Sequence, residues 1–172
     1  MQFLLVSLTG LCLSLYALFV ELHDVLYPDQ ESIDSFVPLC DIAAIKASCS
    51  SVFSMEEGHM LRYFGIVPKG HIFDVPNAAL GVVFYTSMML HYLLLSNGKQ
   101  GEGGKRFSKT IAKVMSLGAS VASLWLITIL ISIKEFCIVC VGTHCCNAFI
   151  LYRLWTDRVE GKRYLKVKRK AN

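Results

Sequence analysis

The sequence predicts an all-α membrane protein: a polytopic four-helix bundle with a folded cap between helices one and two. Two observations carry this. Hydrophobic residues make up 54% of the 172 and charged residues only 17%, against about a quarter charged in an ordinary soluble domain. The charges are also segregated, leaving three long stretches almost free of them: 2–20 (QFLLVSLTGLCLSLYALFV), 78–95 (AALGVVFYTSMMLHYLLL) and 114–133 (VMSLGASVASLWLITILISI). A fourth, 136–152 (FCIVCVGTHCCNAFILY), is shorter and more polar. Spanning a bilayer takes about 20 apolar residues, within a range of roughly 17–25, and all four qualify.

The first stretch lacks a basic leader and a small-x-small cleavage site, and its apolar run exceeds that of a signal peptide. It is therefore expected to stay as a helix. With the flanking residues included, one domain over 1–172 is expected, its helices near 2–20, 78–95, 111–133 and 136–155.

The segment 21–77 carries nine acids against Lys46, Arg62 and Lys69. It also holds buried-type residues (Ile42, Ile45, Val52, Met60, Leu61, Phe64, Ile66, Val67), which a linker would not need. A cap over the bundle mouth is expected, its apolar side on the helices or the bilayer. Short helical turns within 39–53, capped by Ser48 or Ser50, would fit. The connection 96–110 is basic and begins with a flexible, glycine-rich turn, NGKQGEGG (97–104). On the third helix, Ser116, Gly118, Ser120, Ala122 and Ser123 permit close helix approach, whereas Trp125, Met88 and Met89 fit core or ligand contact equally.

Orientation follows from the bases. Lys99, Lys105, Arg106, Lys109 and Lys113 crowd the second connection and its flank, and the tail 156–172 is rich in Lys and Arg. The positive-inside rule puts both in the cytosol and the cap on the opposite side. The net charge of +4 is thus mostly topology and calls for no nucleic-acid partner. Lys168 and Lys170 near the end of KRKAN are similar to a cytosolic dilysine signal for the endoplasmic reticulum; attraction of a basic tail to anionic lipid is the plainer reading.

The chemistry lies in the cysteines. Cys12, midway along the first helix, needs no account beyond packing. Cys137, Cys140 and His144 share one helical face, and thiolate with imidazole suits zinc. One helix cannot wrap a tetrahedral ion, however, and no second Cys-x-x-Cys exists, so no metal is expected. Redox chemistry fits better. In Cys-x-x-Cys at a helix start, unsatisfied N–H groups and the dipole favour the thiolate. Cys40 and Cys49 lie in the cap, on an oxidising side of the membrane. Two pairs at one interface can pass electrons by disulfide exchange. Two static structural bridges are the alternative, although a short Cys-x-x-Cys loop gains little chain-entropy stabilisation. A substrate reached at such a mouth would be lipid-soluble and redox-active, as a quinone is. Cys145 and Cys146, deeper and outside the Cys-x-x-Cys spacing, are read as apolar packing.

Three segments in this order, LCDIAAIKASCSSVF (39–53), PNAALGVVFYT (76–86) and EFCIVC (135–140), resemble the vitamin K epoxide reductase family. The likeness runs from LTGLCLSLYAL (8–18) to about Asn147, and covers the reductase and its like-1 paralogue. It implies a monomeric enzyme with no tightly bound cofactor, reducing vitamin K epoxide to the quinone and the quinone to hydroquinone. Cys40 and Cys49 would take electrons from a lumenal thioredoxin-fold partner, and Cys49 would attack the Cys137–Cys140 bridge at Cys137. Cys140 would then face the quinone. Asn77 would hydrogen-bond a quinone carbonyl, or cap the second helix, or both. Phe53 and Phe84 would line the pocket or simply pack, and coumarin-type inhibitors would bind.

The chain departs from this pattern twice. His144 stands where the family carries a tyrosine that meets the second carbonyl, and Met55-Glu56-Glu57-Gly58 replaces a Trp-Gly. Two rivals remain at this level. The same cysteines could run in reverse, oxidising lumenal partners at the expense of quinone, or the chain could be a scaffold with static disulfides or zinc.

Overall fold

A computed structural model describes residues 2–26, 38, 40, 41, 52, 55–96, 101–134 and 136–171. Among them there is no strand. Four long helices dominate: α1 (Gln2–Leu26), α2 (Asn77–Ser96), α3 (Glu102–Ile133) and α4 (Ile138–Ala171). At 1.5 Å per residue each reaches or exceeds the ~30 Å hydrocarbon core. All four are long and apolar enough to cross a membrane. Helix is the form that satisfies every backbone group within one segment, which lipid requires.

Three boundaries differ from those expected. α1 runs on to Leu26, which moves Glu21 from the cap onto a membrane helix. α3 begins at Glu102, so the glycines at 103 and 104 join its first turn. Glycine costs least there, where the N–H groups lack intrahelical partners anyway. α4 continues to Ala171 instead of ending near 155; its end is rich in Lys and Arg, which are good helix formers.

The helices pack in a ring: α1 touches α2 and α4, and α3 touches α2 and α4. The tightest approaches centre on α1. A side chain at Gly10 would strike the Tyr85 ring, one at Gly81 would lie 2.6 Å from Ser14 Oγ, and one at Gly142 2.9 Å from Leu13. These are the small-residue contacts that bring membrane helices together. The expected small-residue seam on α3 is realised only in part. Ser116 and Ser123 are buried, but Gly118 faces open space.

The bundle has two packed layers. The layer toward the α2–α3 connection holds Phe84, Tyr85, Met88, Ala112, Cys146, Ile150 and Leu154. The layer toward the cap holds Ala17, Cys40, Cys137 and Val139, with Cys140 packed against it. Leu5, Leu8, Leu90, Val114, Leu124 and Tyr152 point outward, as lipid-facing residues do. Met88 is core, and Cys146 packs as expected, whereas Cys12 and Cys145 are exposed on the bundle's outer face.

The described part of the cap is a 3₁₀ turn, Glu56–Gly58, and one helical turn, Met60–Tyr63, followed by a looped descent into α2. The loop turns at Gly65 and Gly70, with φ of 68° and 78°, where a Cβ would be strained. Tyr63 and Phe64 lay their rings on Trp125 of α3, at 5.2 and 4.9 Å between centroids. Trp125 thus serves to seat the cap. The helical turns expected within 39–53, and their serine caps, lie outside the described residues.

Candidate active site

Cys137 ends the approach to α4 and Cys140 lies in its first turn, their sulfurs joined in a disulfide with 5.2 Å between Cα atoms. The sulfur of Cys137 accepts the N–H of Cys140 at 3.2 Å, as an N-capping side chain would. Cys137 is fully buried, whereas Cys140 is half-buried and lies in the wall of a cavity of about 400 Å³. Cys40 is disulfide-bonded and 6% exposed, in the same packed layer as Cys137. The cap therefore brings at least one of its cysteines to the Cys-x-x-Cys. Cys49 and Phe53 lie outside the described residues.

The cavity is apolar with a few polar groups, the usual make-up of a small-molecule site. Ser14, Ala17 and Glu21 of α1 line it at helical spacing, and Phe84 forms part of the α2 wall. α4 contributes Cys140, Thr143, His144 and Asn147, so one helical face presents the sulfur and three polar side chains. Both ring nitrogens of His144 are buried, and neither has a hydrogen-bond partner among the described residues. An unpaired buried imidazole is costly, and a bound oxygen would relieve that cost.

Asn77 also lines the cavity, but its amide is engaged with the cap. Its Oδ1 accepts the N–H of Met60 at 2.9 Å, and its Nδ2 donates to the carbonyl of Glu57 at 2.7 Å. One N–H of Nδ2 remains for a ligand. Asn77 is not the helix cap proposed from sequence. That role falls to Pro76, whose carbonyl accepts the N–H groups of Ala79 and Leu80.

Sequence reasoning missed two clusters. Across the bundle, the Tyr85 hydroxyl lies 2.7 Å from Asn147 Oδ1 and 3.0 Å from the Thr143 carbonyl, and Asn147 Nδ2 donates to Ser123 Oγ at 2.8 Å. The chain ties α2, α4 and α3 together along the cavity. Asn147, a polar residue inside a spanning segment, was the available signal. At the mouth, His59 Nε2 lies 3.5 Å from Glu21 Oε1, and its Nδ1 lies 3.0 Å from Asp74 Oδ1. Arg62 Nη1 donates to Asp74 Oδ2 at 3.2 Å, and the Gly70 N–H to the same oxygen at 3.1 Å. Glu21 was the signal here, an acid at the end of an apolar helix.

The Gly70 N–H, followed by Arg62 and His59, holds the Asp74 carboxyl below the usual carboxylate range, against some opposition from burial. A carboxylate depressed in the folded cap stabilises it above its ordinary pKa of about 4 and ceases to as pH falls through the lowered value. Protection of the amides over 55–75, measured against their intrinsic exchange rates, is expected to hold at neutral pH and to fall at strongly acid pH, and Asp74→Asn to remove that acid step. Protection that is flat with pH in the parent would contradict this.

A bonded cysteine pair with Cys140 in the wall of an apolar cavity, inside a spanning bundle, defines a membrane-embedded redox protein. The comparisons give its family. Residues 1–155 match the Vitamin K epoxide reductase family, and the chain belongs to it. It is 33% identical over 153 residues to "Vitamin K epoxide reductase complex subunit 1" of Rattus norvegicus, covering 86% of this chain and 83% of that protein. The protein of the same description from Mus musculus is 30% identical over the same shares. The chain is therefore a multi-pass membrane oxidoreductase of the vitamin K epoxide reductase kind.

Proposed function

We propose that the protein reduces vitamin K 2,3-epoxide to the quinone and the quinone to hydroquinone, with Cys137 and Cys140 as the reacting pair. The observation that carries this reading is one face of α4. Cys140, in the cavity wall, stands one helical turn from His144, whose ring nitrogens have no hydrogen-bond partner among the described residues. The reduced pair gives two electrons and two protons. Epoxide plus dithiol yields quinone, water and the Cys137–Cys140 disulfide; quinone plus dithiol yields hydroquinone and the same disulfide. Cys40 and Cys49 then reopen the bridge by exchange, Cys49 attacking at Cys137, and are themselves reduced by a lumenal thioredoxin-fold donor. The placement of Cys40 beside Cys137 supports that step.

Asn77 and His144 would address the two carbonyls, and Phe84 the ring. The apolar wall suits a naphthoquinone or a coumarin-type inhibitor of similar shape. The setting would be the endoplasmic reticulum, with both termini cytosolic and the cap lumenal.

Differential alkylation tests the redox role. Graded dithiol is expected to open Cys137–Cys140, and added vitamin K quinone to close it again. A cysteine state indifferent to both would make the bridges static and the reading wrong.

A further inference from the structure

The path by which protons reach the cavity is not supplied by the cysteines alone. A thiol must lose its proton before its sulfur attacks, and a substrate oxygen must gain one afterwards. Over one quinone reduction the balance closes: two thiol protons leave, the S–S bond forms, the ring takes the electron pair, and its two oxygens take two protons. Between those moments a proton needs a resting place, and the cap covers the cavity mouth.

Glu21 offers that place. Its side chain is 11% exposed and lines the cavity, and its buried Oε1 has no hydrogen-bond partner among the described residues. His59 Nε2 faces it at 3.5 Å, just beyond hydrogen-bond length. The other nitrogen of the same ring meets Asp74 at 3.0 Å, and Arg62 and the Gly70 N–H hold that carboxylate in place. An imidazole between two carboxylates can accept a proton on one nitrogen and release one from the other. Glu21, the inner end of this line, lies in the cavity wall, and Asp74, the outer end, follows the exposed 70–73 loop.

We propose that Glu21, His59 and Asp74 form a proton path between the outer face of the cap and the cavity, with Glu21 as the group that exchanges protons there. This rests on the redox reading above. The other titratable groups on the wall are Glu57, Tyr85, Cys140 and His144, and Arg62 is the cation facing Asp74. The 3.5 Å gap fits a path that tightens once substrate is bound, as catalytic contacts do. A purely structural latch would use the same atoms, so the test must read proton transfer.

The test uses the full-length protein in membranes, with dithiol and vitamin K quinone. Glu21→Gln keeps the shape of the side chain and is expected to lower kcat about 100-fold, the lower end for positioned acid–base groups, with KM unchanged. His59→Gly is expected to lose activity and to regain it with added imidazole. The parent is expected to turn over more slowly in D₂O. Unchanged cysteine alkylation in both variants would show that the redox pair is intact.

A Glu21→Gln enzyme with parental kcat overturns the path, as does a His59→Gly enzyme that imidazole does not revive. So does a parent with equal rates in H₂O and D₂O. Each of these outcomes leaves the redox reading standing if the parent reduces quinone. A parent inactive toward both quinone and epoxide removes that reading and the path with it.

Discussion

Cys140→Ala is expected to abolish reduction of both epoxide and quinone while leaving the bundle folded. Cys140 forms one wall of the cavity, and its sulfur is half-buried there, so truncation opens a small apolar space and exposes no unpaired polar group. A loss of activity would then report chemistry and not collapse. The same substitution frees Cys137 from its partner. Attack by Cys49 on Cys137 normally needs a disulfide there. With Cys140 absent, the Cys137 thiolate can instead open an oxidised Cys40–Cys49 bridge at Cys49, releasing Cys40, and no Cys140 thiol is present to displace Cys49 from the resulting Cys49–Cys137 link. A non-reducing gel of Cys140→Ala should therefore trap that mixed disulfide, and dithiol should release it. Full turnover in this variant would remove Cys140 from the reaction.

The second large effect concerns His144. Both ring nitrogens are buried in the cavity wall with no hydrogen-bond partner among the described residues, and leucine would fill a similar volume without either. If the imidazole donates to a substrate oxygen, His144→Leu should lower kcat/KM roughly 10- to 100-fold, the cost of about 1.5–3 kcal/mol for leaving a buried polar group unpaired. His144→Tyr, which restores a hydroxyl donor at this position, should keep or raise turnover. Stability should move the other way: His144→Leu removes an unsatisfied buried group and is expected to melt no lower than the parent. Equal kinetics in all three proteins would make His144 a packing residue.

Much of this was legible in the sequence, for reasons that differ by element. The four spans follow from apolar length alone, since lipid leaves the backbone no other way to satisfy itself. The Cys-x-x-Cys was legible because its spacing and its place at a helix start carry the chemistry. Helix ends were not. The extensions to Leu26, back to Glu102 and on to Ala171 lie in polar stretches where local propensity, not apolar length, decides. The tie between Asn77 and the cap was hidden as well. Its bonds to Met60 and Glu57 join positions 17 and 20 residues apart, a distance at which periodicity says nothing. The Tyr85–Asn147–Ser123 chain and the Glu21–His59–Asp74 line are tertiary for the same reason. Each polar residue could be noticed singly, but the partners meet only when the helices and cap are assembled.

Passage of electrons from the Cys137–Cys140 pair to a vitamin K epoxide in this cavity is read out by epoxide consumption, followed in membranes with a dithiol reductant for the parent and Cys140→Ala side by side. The parent is expected to yield quinone and then hydroquinone, and the variant neither. No epoxide consumed by the parent, together with quinone-dependent oxidation of a thiol partner, would contradict it and reverse the direction of flow.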